Sequence, residues 1–219
     1  MPLVYQQNIN AVTKIGVWHI AEPENFFLKQ VPVQREITHW HKRLQHLAGR
    51  LLLTELFPGF PVELIQVADT RKPFLADEPF HFSISHCGDY AAAIVSNRSR
   101  VGVDIEVISE KVERIKDKYL SPGEQYMIGE ILSSQTSNLK PQTSNFYLQL
   151  LTLAWSVKET MFKWHGAGGV DFRDHMHIKN ITLHDNEFLA QCILTKNEPV
   201  NLNPHGLIFN NNLLTWLVT

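Results

Sequence analysis

The sequence has few cysteines, no long apolar run and no excess of positive charge. Cys87 and Cys192, its two cysteines, lie far apart and in no CxxC pattern, which excludes a disulfide framework and a cysteine-rich zinc site. No stretch of about 18 uncharged apolar residues occurs, so no membrane span is expected. The first ten residues, MPLVYQQNIN, lack the basic start and apolar run of a signal peptide. We therefore predict a cytoplasmic protein.

The charge balance argues against a nucleic-acid partner. The formal net charge is -2, whereas nucleic-acid binders are usually clearly basic. Residues 1–100 carry 10 basic and 9 acidic side chains, and residues 101–219 carry 10 and 13. Carboxylates are therefore concentrated in the second half, where we look for a metal ion.

The chain is long enough, at 219 residues and 44% hydrophobic, for one large domain or two packed smaller ones. Short runs typical of strands occur in two groups. The first group is PFHFSIS, YAAAIVS and VGVDIEV, and the second is HIKNITLH, FLAQCILT, HGLIFN and NLLTWLVT. A helical pattern precedes each group. We predict an α+β fold with two similar halves, residues 1–100 and residues 101–219, and a monomer.

Residues 34–57 have the pattern of an amphipathic helix. Its apolar stripe consists of Ile37, Trp40, Leu44, Leu47 and Leu51. A second line, spaced by four, three and four residues, is basic and consists of His39, Arg43, His46 and Arg50. Spacing alone favours a solvated face for this line. The alternative is a strip that faces phosphate groups.

The middle of the chain predicts three further elements and a loop. A polar helical stretch covers 110–119, and Ser121-Pro122-Gly123-Glu124 is a helix start with Ser at the N-cap and Glu at N3. Residues 133–145 are polar and contain QTSN twice, which predicts a surface loop. A long, largely buried helix then extends to Trp164 and stops at Gly166.

Two carboxylates share one face of a predicted strand. In VGVDIEV, alternation places Asp104 and Glu106 on the same side, with backbones about 7 Å apart. Two parallel anions require a proton, a neighbouring cation or a metal ion between them, unless both are solvated on an edge strand. Mg²⁺ suits such a pair, because it binds one or two carboxylates and completes its shell with water and phosphate oxygens.

The stretch AWSVKETMFKWHG places charges among aromatic side chains. On a helix, Glu159 and Lys163 fall close to Trp155 and Phe162. A Glu–Lys pair at this spacing is usually a weak surface salt bridge. The apolar flanks favour instead a walled pocket with a third carboxylate and a cation for a phosphate.

The combination of VGVDIE with WSVKETMFK, preceded by RKP and FSISHCG, resembles the 4'-phosphopantetheinyl transferase superfamily, in its surfactin-synthetase (Sfp-type) class. The resemblance covers about residues 50–169. It implies the fold of that family, two α+β halves in a pseudo-two-fold arrangement. It also implies an enzyme of the holo-[acyl-carrier-protein] synthase type. Such an enzyme uses Mg²⁺ to transfer the phosphopantetheine arm of coenzyme A to a serine of an acyl, peptidyl or polyketide carrier, and releases 3',5'-ADP.

The resemblance also implies the roles of individual residues. It makes Asp104, Glu106 and Glu159 the Mg²⁺ ligands and has Lys163 neutralise the phosphate of the leaving nucleotide; the contacts to coenzyme A would come from Arg43, Arg50, Lys72, Ser85, His86 and Lys163. Arg71 stands where the family has a glycine. Glu159 and Lys163 are thus expected to be catalytic.

Glu124 lies where the family places a candidate general base for the carrier serine. The same Ser121-x-x-Glu124 pattern is also a capping box, which explains both residues without catalysis. A base must reach the serine hydroxyl and have a suitable pKa. The sequence leaves both roles open.

Two other functions fit parts of the pattern. Nucleases with a D…ExK core also combine these residue types, but their glutamate and lysine alternate on a strand, whereas Glu159 and Lys163 are four apart on a predicted helix. A catalytically inactive module that binds coenzyme A or a carrier protein is the second alternative. The retained carboxylates and Lys163 argue against it.

Overall fold

The structure is a computed structural model that describes residues 2–33, 36–135 and 143–219. Within these ranges helices and antiparallel sheets alternate along the chain, so the predicted α+β class is confirmed. The polar loop predicted for 133–145 falls mainly on residues 136–142, which lie outside the described residues. Its first and last residues belong to helices, because one helix extends to Gln135 and the next begins at Thr143.

Two compact units make up the chain. The first contains Met1–Ile105, Lys163–Ala167 and Val218–Thr219, and the second contains Glu106–Phe162 and Gly168–Leu217. The predicted division at residue 100, into a coenzyme A half and a magnesium half, is a division by function and stays a prediction.

The first unit is built on a four-stranded antiparallel sheet. Its elements are β1 (Leu3–Asn10), β2 (Thr13–His19), α1 (Glu24–Leu28), α2 (Trp40–Leu56), a 3-10 turn (Val62–Leu64), β3 (Gln66–Val67), β4 (Pro73–Phe74), β5 (His81–Cys87), β6 (Tyr90–Ser96) and the start of β7 (Val101–Val107). The strand order is β1-β2-β6-β5, and β3 pairs with β4. The hairpin of β1 and β2 is absent from the sequence prediction.

Helix α2 supplies the core of the first unit and corrects two predictions. Leu44, Leu47 and Leu51 are buried as predicted, but Trp40 is 64% exposed. Ile37 precedes the helix, which begins at Trp40 after the N-cap His39. The solvated basic face is wrong for His46 and Arg50, which are buried, whereas His39 is exposed and Arg43 is half-buried. Arg50 lies within the apolar run LAGRLLL and His46 directly precedes it, so both face protein rather than water.

The second unit combines four helices with a sheet. Its elements are the end of β7, α3 (Lys111–Arg114), α4 (Lys116–Tyr119), α5 (Pro122–Gln135), α6 (Thr143–His165), β8 (Met176–His184), β9 (Glu187–Leu194), β10 (Val200–Leu202), β11 (His205–Phe209) and β12 (Asn212–Val218). Strands follow the order β10-β9-β11-β12, and β8 also pairs with β9. The helix predicted for 110–119 is two short helices, interrupted at Ile115.

Throughout the three described ranges, no helix combines the length and the apolar character needed to cross a membrane.

Two glycines in helix interiors, one in each unit, differ in how closely their surroundings are packed. A Cβ at Gly49 in α2 would lie 2.6 Å from Cγ2 of Ile84, whereas a Cβ at Gly129 in α5 would meet no atom within 4 Å. We expect Gly49→Ala to lower the free energy of unfolding by about 1–3 kcal/mol, because the core is overpacked. Gly129→Ala should raise it by about 0.5–1 kcal/mol, because alanine favours the helix. Urea unfolding of both variants checks this, and equal effects would contradict the packing of α2 on β5.

Candidate active site

A buried carboxylate and a half-buried ammonium meet in the first unit. Lys163, near the end of α6, donates to Oδ1 of Asp104 at 2.6 Å and to Oγ of Ser85 at 2.7 Å. Ser85 donates to the same Asp104 oxygen at 2.8 Å. The Asp104 side chain is 3% exposed and that of Lys163 is 25% exposed. The pair is therefore neutral overall but presents a cation that solvent can reach.

Strands β5 and β7 hold this arrangement in register. Ser83 on β5 accepts a hydrogen bond from the backbone N–H of Val103 on β7 at 3.2 Å. Ser83 and Ser85 lie on the same face of β5, because side chains two residues apart on a strand share a face. Both therefore bind β7 from the same side, Ser83 at Val103 and Ser85 at Asp104. The predicted coenzyme A residue Ser85 and the predicted metal ligand Asp104 are thus brought together.

His86 follows Ser85 at the end of β5. Burial lowers the pKa of its imidazole, a backbone hydrogen bond opposes this, and the nearby ammonium of Lys163 lowers it further. Because the residue as a whole is exposed, solvent screening keeps these effects small. A lowered pKa favours the neutral imidazole, in which one nitrogen donates a hydrogen bond and the other accepts one.

In the second unit, Trp155 on α6 binds the predicted metal ligand Glu106. Its indole Nε1–H donates to Oε1 of Glu106 at 3.0 Å. The indole ring lies 5.2 Å from the ring of Tyr119 and 5.5 Å from that of Phe172. Phe172 also lies 5.6 Å from Phe162. An aromatic cluster therefore surrounds the face of α6 that carries Trp155 and Phe162.

The exposure of α6 follows the helical period. Between residues 155 and 164, the half-buried residues are Trp155, Glu159, Phe162 and Lys163, and all the others are buried. The four share one face because they are spaced by four, three and one residues. The half-buried charged face with aromatic neighbours, predicted from the sequence, is present.

Glu124 is buried and fully engaged. Its Oε2 accepts from the backbone N–H of Ser121 at 2.7 Å, and the Ser121 hydroxyl accepts from the Glu124 N–H at 3.3 Å, so the capping box is formed. Its Oε1 accepts from the N–H of Ile178 at 2.8 Å. The ammonium of Lys158 lies 2.7 Å from Oε1 and 2.9 Å from Oε2.

Lys158 is the ion-pair partner that sequence reasoning missed. Its side chain is 0% exposed, and it also donates to the carbonyls of Tyr119 at 2.6 Å and Phe172 at 3.0 Å. Burial lowers its pKa, and Glu124 opposes this by favouring the charged form. The signal available in the sequence is the pair of apolar neighbours at i-4 and i+3, Ala154 and Met161, which place Lys158 on the buried side.

Two further predicted coenzyme A residues, Arg43 and Arg50, bind other side chains of the first unit. Arg43 forms a bidentate salt bridge with Glu24. These hydrogen bonds raise the pKa of the arginine and lower that of the glutamate. Arg50 is buried, with Nη1 3.1 Å from Nδ1 of His46. Neither contact shows a ligand role.

Lys72 lines a cavity of about 270 Å³ with Glu78 and Arg100. Burial lowers the pKa of Lys72, and the charge of Arg100 lowers it further. Its side chain packs on Gly166, where a Cβ would clash with it. Arg71 has φ of 66°, a left-handed conformation that glycine adopts without strain, so the backbone at this position has a shape suited to the family's glycine.

The predicted metal ligands have the chemistry that Mg²⁺ requires. All three are carboxylates, and hard divalent cations prefer oxygen donors. Across the part of the chain that the structure describes, no group of three or more His, Cys, Asp or Glu side chains is close enough to hold a metal ion. Asp104 and Glu106 instead have hydrogen-bond donors in Lys163 and Trp155. The metal assignment stays a prediction.

Comparison with known proteins identifies the domain that contains these residues. The sequence model of the family described as "4'-phosphopantetheinyl transferase superfamily" matches residues 100–207, which include Asp104, Glu106, Glu124, Glu159 and Lys163. Residues 100–207 thus resemble the domain of this superfamily. The resemblance stated from the motifs is thereby confirmed at the level of the superfamily.

Curated relatives agree with this assignment. The chain is 30% identical over 127 residues to "4'-phosphopantetheinyl transferase AcpT" of Salmonella typhimurium, a match that covers 58% of this chain and 60% of that protein. It is 33% identical over 123 residues to "Enterobactin synthase component D" of Salmonella typhi, covering 56% and 47%. For the protein of that name in Escherichia coli K12, the values are 28% over 150 residues, 65% and 66%. The matches thus span between about half and two thirds of the relatives.

Removing the charge of Glu124 should destabilise the second unit. We expect Glu124→Gln to lower the free energy of unfolding by about 3–5 kcal/mol, because the buried ammonium of Lys158 loses its counter-charge. Urea unfolding measures this.

The matched control is Glu110→Gln, which makes the same chemical change in an exposed pair with Arg114 at 3.6 Å. It should change stability by no more than about 0.5 kcal/mol. Equal losses in the two variants would contradict the structural role of Glu124.

Proposed function

We propose that the protein is a 4'-phosphopantetheinyl transferase that moves the phosphopantetheine arm of coenzyme A to a serine of a carrier protein and releases 3',5'-ADP. The observation that carries the proposal is the superfamily match over residues 100–207, which includes both VGVDIE and WSVKETMFK. The names of the AcpT relatives support it. The accessible ammonium of Lys163 beside Asp104 supports it from the geometry.

The proposed metal ligands are Asp104, Glu106 and Glu159. A bound Mg²⁺ supplies positive charge that stabilises the phosphoryl oxygens of the reacting pyrophosphate. The chain contributes the carboxylates, and it restricts their motion: Ser85 and Lys163 hold Asp104, and Trp155 holds Glu106. Preorganised ligands of this kind lose little entropy when a cation binds.

Lys163 is proposed to neutralise the phosphate that leaves with the nucleotide. An ammonium carries three N–H donors, and Lys163 directs two of them to the oxygens of Asp104 and Ser85. Since the side chain is 25% exposed, a phosphate oxygen can approach it from solvent. The transfer reaction needs mainly alignment and cation placement, because the charge in its transition state is spread over phosphoryl oxygens.

The proposed contacts to the nucleotide part of coenzyme A come from the first unit. Ser85 and His86 lie beside Lys163, and Lys72 lines a cavity with the further cation Arg100. Arg50 is proposed as a phosphate contact from the motif, and Arg43 because it lies on the same basic line of α2. The pairing of Arg43 with Glu24 means that a phosphate would compete with a carboxylate for this guanidinium.

The proton of the carrier serine requires an acceptor, and Glu124 was the candidate. Each oxygen of Glu124 accepts a backbone N–H and lies within 3 Å of the Lys158 ammonium. A serine hydroxyl would have to displace one of these donors to reach the carboxylate. The contacts therefore favour the capping role, in which case a group other than Glu124 would accept the serine proton.

The finer features of the resemblance are also proposals. They are the Sfp-type class, Mg²⁺ dependence, a monomeric state, a cytoplasmic location and a carrier from fatty-acid, polyketide or nonribosomal-peptide synthesis. The carrier serine would be the same in all three pathways. A docking surface for an acidic carrier would need a local basic or apolar patch rather than a basic overall charge.

Intact-protein mass spectrometry of an apo carrier protein tests the proposed function. With this protein, coenzyme A and Mg²⁺, the carrier should gain the mass of one phosphopantetheine, and EDTA should abolish the gain. Coenzyme A binding by calorimetry without transfer, across several carrier types, would instead favour the inactive binding module. Absence of both binding and transfer would contradict the family's activity in this chain.

Glu159→Gln tests the metal assignment separately. We expect kcat/KM to fall on the order of 10²–10³-fold, because the change removes a charge near the reacting phosphate and preserves the side-chain volume. Glu130→Gln, an exposed change on α5, is the control and should leave transfer unchanged. Normal turnover by Glu159→Gln would show that the metal assignment is wrong.

A further inference from the structure

We propose that Trp155 is a positioning residue for Glu106, and that Phe172 holds the Trp155 ring in the orientation that this role requires. The inference rests on the proposed function, in which Glu106 is a metal ligand. It concerns two residues to which the motif resemblance assigns no role in the reaction. All the contacts that carry it lie within the second unit.

The hydrogen bond between Trp155 and Glu106 fixes the carboxylate from one side. An indole has a single N–H and accepts no hydrogen bond, and this N–H donates to Oε1 of Glu106 at 3.0 Å. The two residues are 49 positions apart, so the contact joins β7 to α6. A flexible glutamate side chain is thereby limited to orientations in which Oε1 faces the indole.

The indole itself is held by rings on either side. The Tyr119 ring meets it edge-on, with centroids 5.2 Å apart and planes at 74°. Tyr119 is fixed in turn, since it is 1% exposed and the single hydrogen of its hydroxyl is shared between the carbonyls of Val112 at 3.3 Å and Leu151 at 3.2 Å. Rotation of the indole about its side-chain bonds would have to displace this buried ring.

Phe172 closes the cluster from the loop that follows α6. Its ring lies 5.5 Å from that of Trp155 and 5.6 Å from that of Phe162, so it spans the two aromatic residues that flank Glu159 in the sequence. Its backbone carbonyl accepts from the buried ammonium of Lys158 at 3.0 Å. The ring is therefore placed by a charged hydrogen bond as well as by packing.

The expected consequence is on metal affinity. Hydrogen bonds to a ligating carboxylate orient it, and loss of such a partner typically weakens metal binding by about 10–100-fold. Trp155→Phe removes the N–H donor and keeps an aromatic ring in the cluster. We expect this loss of affinity without loss of the fold.

The measurement is Mn²⁺ binding, followed by the loss of the free Mn²⁺ signal in electron paramagnetic resonance, with and without coenzyme A. Trp155→Phe should bind Mn²⁺ about 10–100-fold more weakly than the wild type. The matched control is Trp164→Phe, nine residues later on the same helix, where the indole N–H donates to Oγ1 of Thr219 at 3.0 Å. This control should bind Mn²⁺ as the wild type does.

Phe172→Leu provides a second variant that leaves the indole in place. It keeps apolar volume but loses the ring that contacts Trp155, and we expect weaker Mn²⁺ binding than in the wild type, by a smaller factor than in Trp155→Phe. This variant decides the question if Trp155→Phe does not fold.

The outcomes separate this inference from the proposed function. Unchanged Mn²⁺ affinity in folded Trp155→Phe, or in Phe172→Leu if the first variant does not fold, would overturn the positioning role while the transferase activity stands. Equal weakening in Trp164→Phe would also overturn it, because the effect would then be general to the helix. Failure of the wild type to bind Mn²⁺ or to transfer phosphopantetheine would overturn the proposed function, and this inference with it.

Discussion

The side chain of Lys158, including its ammonium group, is completely buried. An isolated charge in that position would cost far more free energy than a domain can supply. The second unit answers this constraint with the Glu124 carboxylate and the carbonyls of Tyr119 and Phe172. Glu124 in turn binds the N–H of Ile178 on β8. One buried cation thus ties together α4, α5, α6, β8 and the loop after α6. None of these elements can shift without leaving a charge or an acceptor unpaired.

The orientation of α6 follows from this ion pair. Once Lys158 points inward, the helical period places Trp155, Glu159 and Phe162 on the half-buried face. Glu159 is adjacent to Lys158 in the chain, so the position of its backbone is set by the same contacts. Further along the helix, Lys163 reaches Asp104 and Ser85. Lys158 is thus fully buried in its ion pair, whereas the side chain of Lys163 is 25% exposed.

The sequence predicts the elements whose patterns are strong and local. Strands β6 and β7 have the predicted bounds, because their apolar runs end abruptly at turn residues. The strand β1 was missed since it is largely exposed, with polar residues such as Gln6 and Gln7 in its middle. Local pattern gives little signal for a strand that depends on its neighbour for pairing. The domain's superfamily, in contrast, was evident from two motifs read together.

The partners of charged side chains were the main failure of prediction. The buried positions of His46 and Arg50 contradict the solvated face that their spacing favoured. The contact of Lys158 with Glu124 joins residues 34 positions apart, and that of Trp155 with Glu106 joins residues 49 apart. Such contacts depend on how elements pack, which a period along one helix or strand does not contain. The residue types of the site were therefore predictable, whereas the network that orients them was not.

In the proposed function, the carboxylates of β7 and α6 bind a metal ion while Lys163 binds phosphate. A crystal structure with coenzyme A and Mn²⁺ tests this directly. The anomalous scattering of Mn²⁺ locates the metal independently of any assumption about its ligands. We expect a peak coordinated by Asp104, Glu106 and Glu159, with the Lys163 ammonium on a phosphate oxygen. A peak at other residues, or a pyrophosphate bound away from Lys163, would contradict it.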